Sequence, residues 1–347
     1  MESYSSWSTF LKHNTTSYLG EGPNVVELDL NNVDEFNKKV RSEYSSRLHE
    51  LVQSLLRPYY NVENNKVLVY GEHVEFKSDN SNYLEVVCDP KLTNMKCLLF
   101  NNANFQTVNL NNVSKLEVLH LVWGKAKLVE ALHLKEAYDV SFCLQDHLES
   151  VNLERLEYVD NDVKFTCLKN LSGLRLGLKK CKNFYMTECH KLSNLDLPLE
   201  HSKYVVVCDN EKLVNMSLKN VMRLKSVVVE DNRMLQHLNL NKLRFCNKVY
   251  ICNNPELVSI DMSELEGCNS VFIKNCPKLT SLEIKSLRNV YNNFYVAKCE
   301  SLTDLNLSKL QNVNTGYVLN SSKDVCEKLS FRTKFFIVNG NSKCLYC

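Results

Sequence analysis

From about Val140 to Cys326, apolar and polar positions recur in step roughly every 22 residues. Set on the first leucine of an L-x-x-L-x-L phrase, the units begin at Leu148, Leu171, Leu192, Leu213, Leu235, Leu257, Leu279 and Leu302. Three residues after each anchor stands an apolar residue, Val151 in the first unit and Leu305 in the last, and two beyond that another, from Leu153 to Leu307. A second alternating pair precedes each anchor: Val140, Val163, Phe184, Val205, Val227, Val249, Val271 and Phe294 eight residues before, and Phe142, Phe165, Met186, Val207, Val229, Ile251, Ile273 and Val296 six before. A period of two with β-branched residues favoured predicts a short strand with one buried face at each place. Each coil thus carries two short strands. A single coil cannot bury its own apolar face, so the coils must stack as a solenoid.

Three residues before the anchor runs a column of Cys189, Asn210, Asn232, Asn254, Cys276 and Cys299. At a tight inward corner an Asn amide can donate to backbone carbonyls of adjacent coils, which would otherwise be buried unpaired. A thiol fits the same small space.

The phrases Val271-x-Ile273-x-x-Cys276-x-x-Leu279 and Val249-x-Ile251-x-x-Asn254-x-x-Leu257 resemble the leucine-rich-repeat consensus with its Asn-or-Cys position. Asn253-Asn254-Pro255-Glu256-Leu257 and Asn275-Cys276-Pro277-Lys278-Leu279 are similar to the N-P-x-L corner of receptor L domains, and BspA-like leucine-rich proteins of protists are a looser match. The resemblance covers residues 84 to 338 in structural type. It implies a mainly β fold: a right-handed solenoid of leucine-rich-repeat type, two short strands per coil.

The flanks have other periods. Residues 1–22 are polar with scattered aromatics and read as a flexible arm. Over 23–60 a helical cap is expected: Asn32 and Glu35 resemble a capping box, and Phe36, Val40, Tyr44, Leu48, Leu51, Val52 and Leu55 follow at helical spacing before Pro58. Such a helix would cover the end of the solenoid, or dock another protein. The solenoid is expected over 61–338. Val67, Val69, Val74 and Phe76 suggest a hairpin around Gly71, Leu84, Val86 and Leu92 match the later columns, and the register between Leu92 and Leu148 is open. Phe335-Phe336-Ile337-Val338 reads as a closing strand, and 339–347 as a tail.

The repeat also says which side chains face outward. Between the apolar residues after each anchor lie Asn152, Arg175, Asp196, Ser217, Asn239, Asp261, Glu283 and Asn306, a solvated face. Seven residues before the anchors the column runs Ser141, Lys164, Tyr185, Val206, Val228, Tyr250, Phe272 and Tyr295. From Tyr185 onward it is an apolar and aromatic strip, a type of surface that soluble proteins seldom leave bare and that is enriched at binding hot spots. Tyr185, Val206, Val228, Tyr250, Phe272 and Tyr295 are therefore the expected partner-binding residues. Pairing of two copies through the strip, packing that only stabilises the sheet, and cover by another part of the chain stay open.

Composition narrows the function. With 42 basic and 40 acidic residues, a net charge of +2 offers no field for nucleic acid, and nine glycines supply no phosphate-cradling loop. No secretion signal is read at Met1-Glu2-Ser3-Tyr4, and no run approaches a membrane span. Fifteen cysteines, an odd number with many in repeat columns, fit a reducing cytoplasm better than a disulfide frame. The sequons at Asn14, Asn112, Asn170, Asn215, Asn306 and Asn320 are no more than chance supplies in so asparagine-rich a chain. Cys189-His190 belongs to the corner column, and Cys344 and Cys347 have no second pair for zinc, so no catalytic, metal or cofactor residue is expected. Cys344-Leu345-Tyr346-Cys347 places Cys344 four from the end, the spacing of prenylation, although a single prenyl chain binds membranes weakly. The expectation is a non-enzymatic, cytoplasmic scaffold that presents the strip to a protein partner. The alternative is a surface or adhesion protein of receptor L-domain type that binds peptide or glycan.

Overall fold

The computed structural model describes residues 27–29, 60–63, 66–77, 83–321, 335–339 and 342–344. The chain divides into two compact units that meet in sequence at Gly177 and Leu178. Each is a parallel β-solenoid of about 22-residue coils wound in the right-handed sense, and no helix occurs among the described residues.

In the first unit each coil gives one strand to each of two sheets. One sheet runs Glu27–Asp29, His73–Lys77, Asn94–Asn101, Lys115–Val122, Glu136–Cys143, Asp162–Thr166, all parallel. The other runs Lys66–Val69, Tyr83–Cys88, Phe105–Asn109, Leu128–Glu130, Ser150–Leu153, Gly173–Leu176, also parallel, with Tyr60–Glu63 added antiparallel at its edge. Phe76 and Phe100 stack at 5.0 Å between centroids and Phe142 and Phe165 at 5.2 Å, because in-register parallel strands bring like residues of successive coils together.

The second unit repeats the plan. Its long sheet runs Asn183–Thr187, Tyr204–Cys208, Arg223–Glu230, Phe245–Cys252, Gly267–Lys274, Asn289–Cys299, Asn312–Ser321, Phe335–Asn339 in parallel. Its short sheet runs Asn194–Asp196, Asn215–Ser217, His237–Asn239, Ser259–Asp261, Ser281–Glu283, Asp304–Leu305. Both columns that precede the anchors are buried throughout, Val205, Val227, Val249 and Val271 being 0% exposed. A third apolar column closes the coil: Leu243, Leu265, Leu287 and Leu310, eight residues after their anchors, are buried at the turn that follows the short strand.

The corner column is a hydrogen-bonded ladder. Asn210, Asn232 and Asn254 are each 0% exposed. The amide of Asn254 donates to Val229 O at 3.0 Å and Cys252 O at 2.9 Å, and that of Asn232 to Val207 O at 3.0 Å and Glu230 O at 3.1 Å. Cys276 and Cys299 keep the second of these contacts, donating to Lys274 O at 3.5 Å and Ala297 O at 3.6 Å. The residue before each rung turns left-handed, with φ 56° at Asp209, 58° at Asp231, 57° at Asn253 and 54° at Lys298.

Several expectations change. Val67-Val69 and Val74-Phe76 do not form a hairpin around Gly71: Lys66–Val69 and His73–Lys77 belong to different sheets, and the hairpin is Tyr60–Glu63 with Lys66–Val69. The alternation marked two strands correctly, but a solenoid corner turns the chain between sheets where a hairpin would reverse it within one. Leu84 is 46% exposed, because the register aligns Tyr83 with Phe105 and so puts Leu84 one place beyond the anchor column. The anchors of the irregular coils are Phe105 and Ala126, both buried, which resolves the register between Leu92 and Leu148. Within the 23–60 segment expected as a helical cap, the described Glu27–Asp29 is a strand, as the alternation of Val26, Leu28 and Leu30 allows. The helix expected from Asn32 to Arg57, and the arm 1–22, lie outside the described residues. Part of the expected tail is also strand, Ser342–Cys344 pairing antiparallel with Phe335–Asn339 and setting Cys344 opposite Ile337.

Candidate interaction surface

Parallel register builds the strip from one residue per coil of the second unit. Tyr185 pairs Val206, Val206 pairs Val228, Val228 pairs Tyr250, Tyr250 pairs Phe272, and Phe272 pairs Tyr295. Tyr317 extends it by one coil, a member that sequence reading left out because the last repeat degenerates there. Rings follow one another at centroid distances of 6.4 Å for Tyr250 and Phe272, 6.2 Å for Phe272 and Tyr295, and 6.1 Å for Tyr295 and Tyr317, tilted at 52°, 41° and 55°. These are favourable offset geometries for aromatic pairs.

The strip is not uniform. Val206 and Val228, expected on an exposed surface, are buried at 3% and 2% and form a cluster with Cys208, against which Tyr185 and Tyr250 pack. Short β-branched side chains lie between longer aromatic ones, so little of them is left to touch a partner. Tyr250, Phe272, Tyr295 and Tyr317 are half-buried and carry the accessible part.

Polar groups edge this part. The Lys248 ammonium sits 4.8 Å from the Tyr250 ring centroid, and the Tyr250 hydroxyl donates to Glu230 Oε1 at 3.4 Å. Burial, then the nearby Asp231, pushes the Glu230 carboxyl up. Burial, then the Cys252 thiol and Glu230, pushes the Tyr250 hydroxyl up as well, so it stays a neutral donor. The accessible part of the strip thus consists of ring faces, with Lys248 and Glu230 beside Tyr250.

In the first unit the equivalent column is polar apart from Leu99: Glu75, Leu99, His120, Ser141 and Lys164 stand in register. His120 Nε2 lies 2.7 Å from Asp139 Oδ2, and Asp139 Oδ1 accepts from Asn161 Nδ2 at 2.8 Å and Asp162 N at 3.1 Å. Burial pushes the Asp139 carboxyl up, but the bond and charge of His120 and these two donors together hold it below the usual value. Ser141 Oγ is engaged 3.1 Å from Cys143 Sγ, which also accepts from Thr166 Oγ1 at 2.9 Å, and burial pushes that thiol up. Cys189 is buried with its thiol 3.7 Å from Thr187 O.

Among the described residues no three His, Cys, Asp or Glu converge to hold a metal, and no helix is long and apolar enough to cross a membrane. The twelve cysteines with described side chains are all free thiols. No protein-family model matches the chain, and no curated protein is similar to it. The likeness to leucine-rich repeats rests on the residues quoted above.

Proposed function

We propose that the protein is a non-enzymatic interaction scaffold, a leucine-rich-repeat-type solenoid that presents an aromatic ladder to a protein partner. The observation that carries the reading is the unbroken run Tyr250, Phe272, Tyr295, Tyr317, with rings 6.1–6.4 Å apart on four successive coils. Repeat solenoids work through such extended surfaces, and half-buried aromatics lose little conformational freedom on binding. Work in a reducing cytoplasm accords with the free thiols in the core columns. Tyr185, Val206 and Val228 support the ladder from one end.

Affinity capture from the source cells compares wild type with Tyr250→Asp/Phe272→Asp and with Asp196→Lys/Glu283→Lys on the opposite sheet, all verified as folded by circular dichroism. Partners lost only with the ladder variant support the reading. An identical set for all three chains overturns it. Sedimentation of the purified protein in parallel tells a second copy from a foreign partner.

A further inference from the structure

The first coils of the second unit carry charge in a repeating order about the strip. Lys182, Lys203 and Lys225 stand three residues before Tyr185, Val206 and Val228, and Glu188, Asp209 and Asp231 stand three residues after them. The lysines are exposed and the acids partly so. On the next two coils both places hold Asn, as Asn247 and Asn253 about Tyr250 and as Asn269 and Asn275 about Phe272. About Tyr295 they hold Asn292 and Lys298.

Register stacks like charge on like. The Lys203 N–H donates to Lys182 O and the Lys225 N–H to Lys203 O, both at 2.8 Å, so the three lysines follow one another about 4.8 Å apart. At the other edge the Glu188 N–H donates to Cys208 O at 3.2 Å and the Asp209 N–H to Glu230 O at 3.1 Å, which sets the acids on successive coils as well. Burial, then Asp231 and Asp209, push the Glu230 carboxyl up, in keeping with acids gathered at that edge. Like charges on neighbouring strands destabilise a sheet. Elsewhere in this unit neighbouring coils set opposite charges together, Lys219 with Asp196 at 3.0 Å, Arg244 with Glu266 at 2.6 Å and Lys278 with Glu256 at 2.6 Å. A basic edge and an acidic edge thus flank the strip on the same three coils.

A two-fold axis laid along the strip relates the two edges. It sets each coil opposite the same coil of a second copy and reverses the strand direction, so the place three before the strip meets the place three after. Lys182 then meets Glu188, Lys203 meets Asp209 and Lys225 meets Asp231, each contact made twice. The Asn pairs meet as mutual donors and acceptors, and the rings of Tyr250, Phe272 and Tyr295 meet their own images. Asn292 against Lys298 adds no like charge. Six coils of about 4.8 Å, each about 20 Å wide, give roughly 600 Å² per copy, which reaches the low end of specific interfaces.

We propose that the occupant of the strip is a second copy of this chain, bound face to face about a two-fold axis along the strip, with each basic edge on the other copy's acidic edge. The inference rests on the reading of the ladder as a binding face and names what binds there. Its charge order makes the surface complementary to itself, and closed symmetry limits the assembly to two copies.

Purified full-length protein in reducing buffer is followed by sedimentation velocity. Wild type is expected to sediment as a dimer at low salt and to dissociate as salt rises. Lys203→Asp/Lys225→Asp and Asp209→Lys/Asp231→Lys, each verified as folded by circular dichroism, should each be monomeric, because each sets like charge on like. Mixed in equal amounts the two variants should form a dimer again, since reversed edge then meets reversed edge and native edge meets native. A wild-type monomer, a reversed variant that still dimerises, or a mixture that stays monomeric overturns the proposal. Carbodiimide treatment of the wild type decides the matter even if a variant does not fold. A dimer band in which Lys203 is joined to Asp209, or Lys225 to Asp231, supports the proposal, and a dimer band without either link overturns it. Six residues of strand hold these partners about 20 Å apart within one chain, too far for a direct amide. If the wild type is a monomer and Tyr250→Asp/Phe272→Asp still loses partners captured from cells, the second copy falls as occupant while the ladder stands as a binding face.

Discussion

Asn232 holds Asn210 twice: its Oδ1 accepts the Asn210 backbone N–H at 3.2 Å and the Asn210 side-chain Nδ2 at 2.9 Å. Asn254 repeats the grip on Asn232, at 3.0 Å and 3.3 Å. One buried side chain therefore serves two coils, as acceptor for the coil before and donor to carbonyls on both. Asn232→Ala would orphan the Asn210 N–H inside the core and take one donor from Val207 O and from Glu230 O, the latter still accepting from the Asp209 N–H at 3.1 Å. It should destabilise the chain by about 2 kcal/mol, read from urea unfolding. Asn232→Cys, which places there the residue found at the Cys189, Cys276 and Cys299 rungs, should lose clearly less, and equal losses would contradict the ladder.

Gly177 lies against a backbone. A Cβ there would stand 2.1 Å from the Glu154 carbonyl oxygen, an atom that cannot turn aside. At Gly267 the nearest atom is a ring carbon of Phe245 at 3.4 Å, ordinary contact. Gly177→Ala is expected to destabilise by about 3 kcal/mol and Gly267→Ala to stay within about 0.5 kcal/mol, compared by thermal unfolding.

Lys298 turns left-handed, with φ 54°, at a corner where other coils place Asp209, Asp231, Asn253 and Asn275. Asn tolerates this conformation and Lys strains in it, so Lys298→Asn should stabilise by about 1 kcal/mol. A lower unfolding midpoint for the variant would show that the lysine has a compensating role.

Asp139 links stability to pH. Its folded pKa is depressed, so its contribution is present above the unfolded value of about 3.8 and is lost as pH falls through the lower folded value. Asp139→Asn should destabilise by about 2 kcal/mol at neutral pH, and the gap to wild type should close below pH 3.8. A gap that persisted in acid would mean that the side chain acts by shape and not by charge.

The ladder is instructive about what a sequence shows. Asn210, Asn232 and Asn254 recur in register, and an Asn can be buried repeatedly only by pairing with backbone, so position and role were both legible. Leu243, Leu265, Leu287 and Leu310 recur as plainly but carry no strand signal, because a turn residue lacks the alternation that marks one. Phe105 and Ala126 could not be read as anchors, since neither is leucine and only strand pairing aligns them with Leu148.

Periodicity alone decided that this chain stacks coils, which residues line the core, and that one outward column turns apolar at Tyr185, because each depends on spacing that repeats along the chain. Tertiary structure decided that Val67 and Val74 lie in different sheets, that Val206 and Val228 are covered while Tyr250 to Tyr317 stay accessible, and that Cys246 meets Cys268. Those outcomes depend on where coils turn and how high neighbouring side chains stand, which are properties of packing between coils and not of any one repeat.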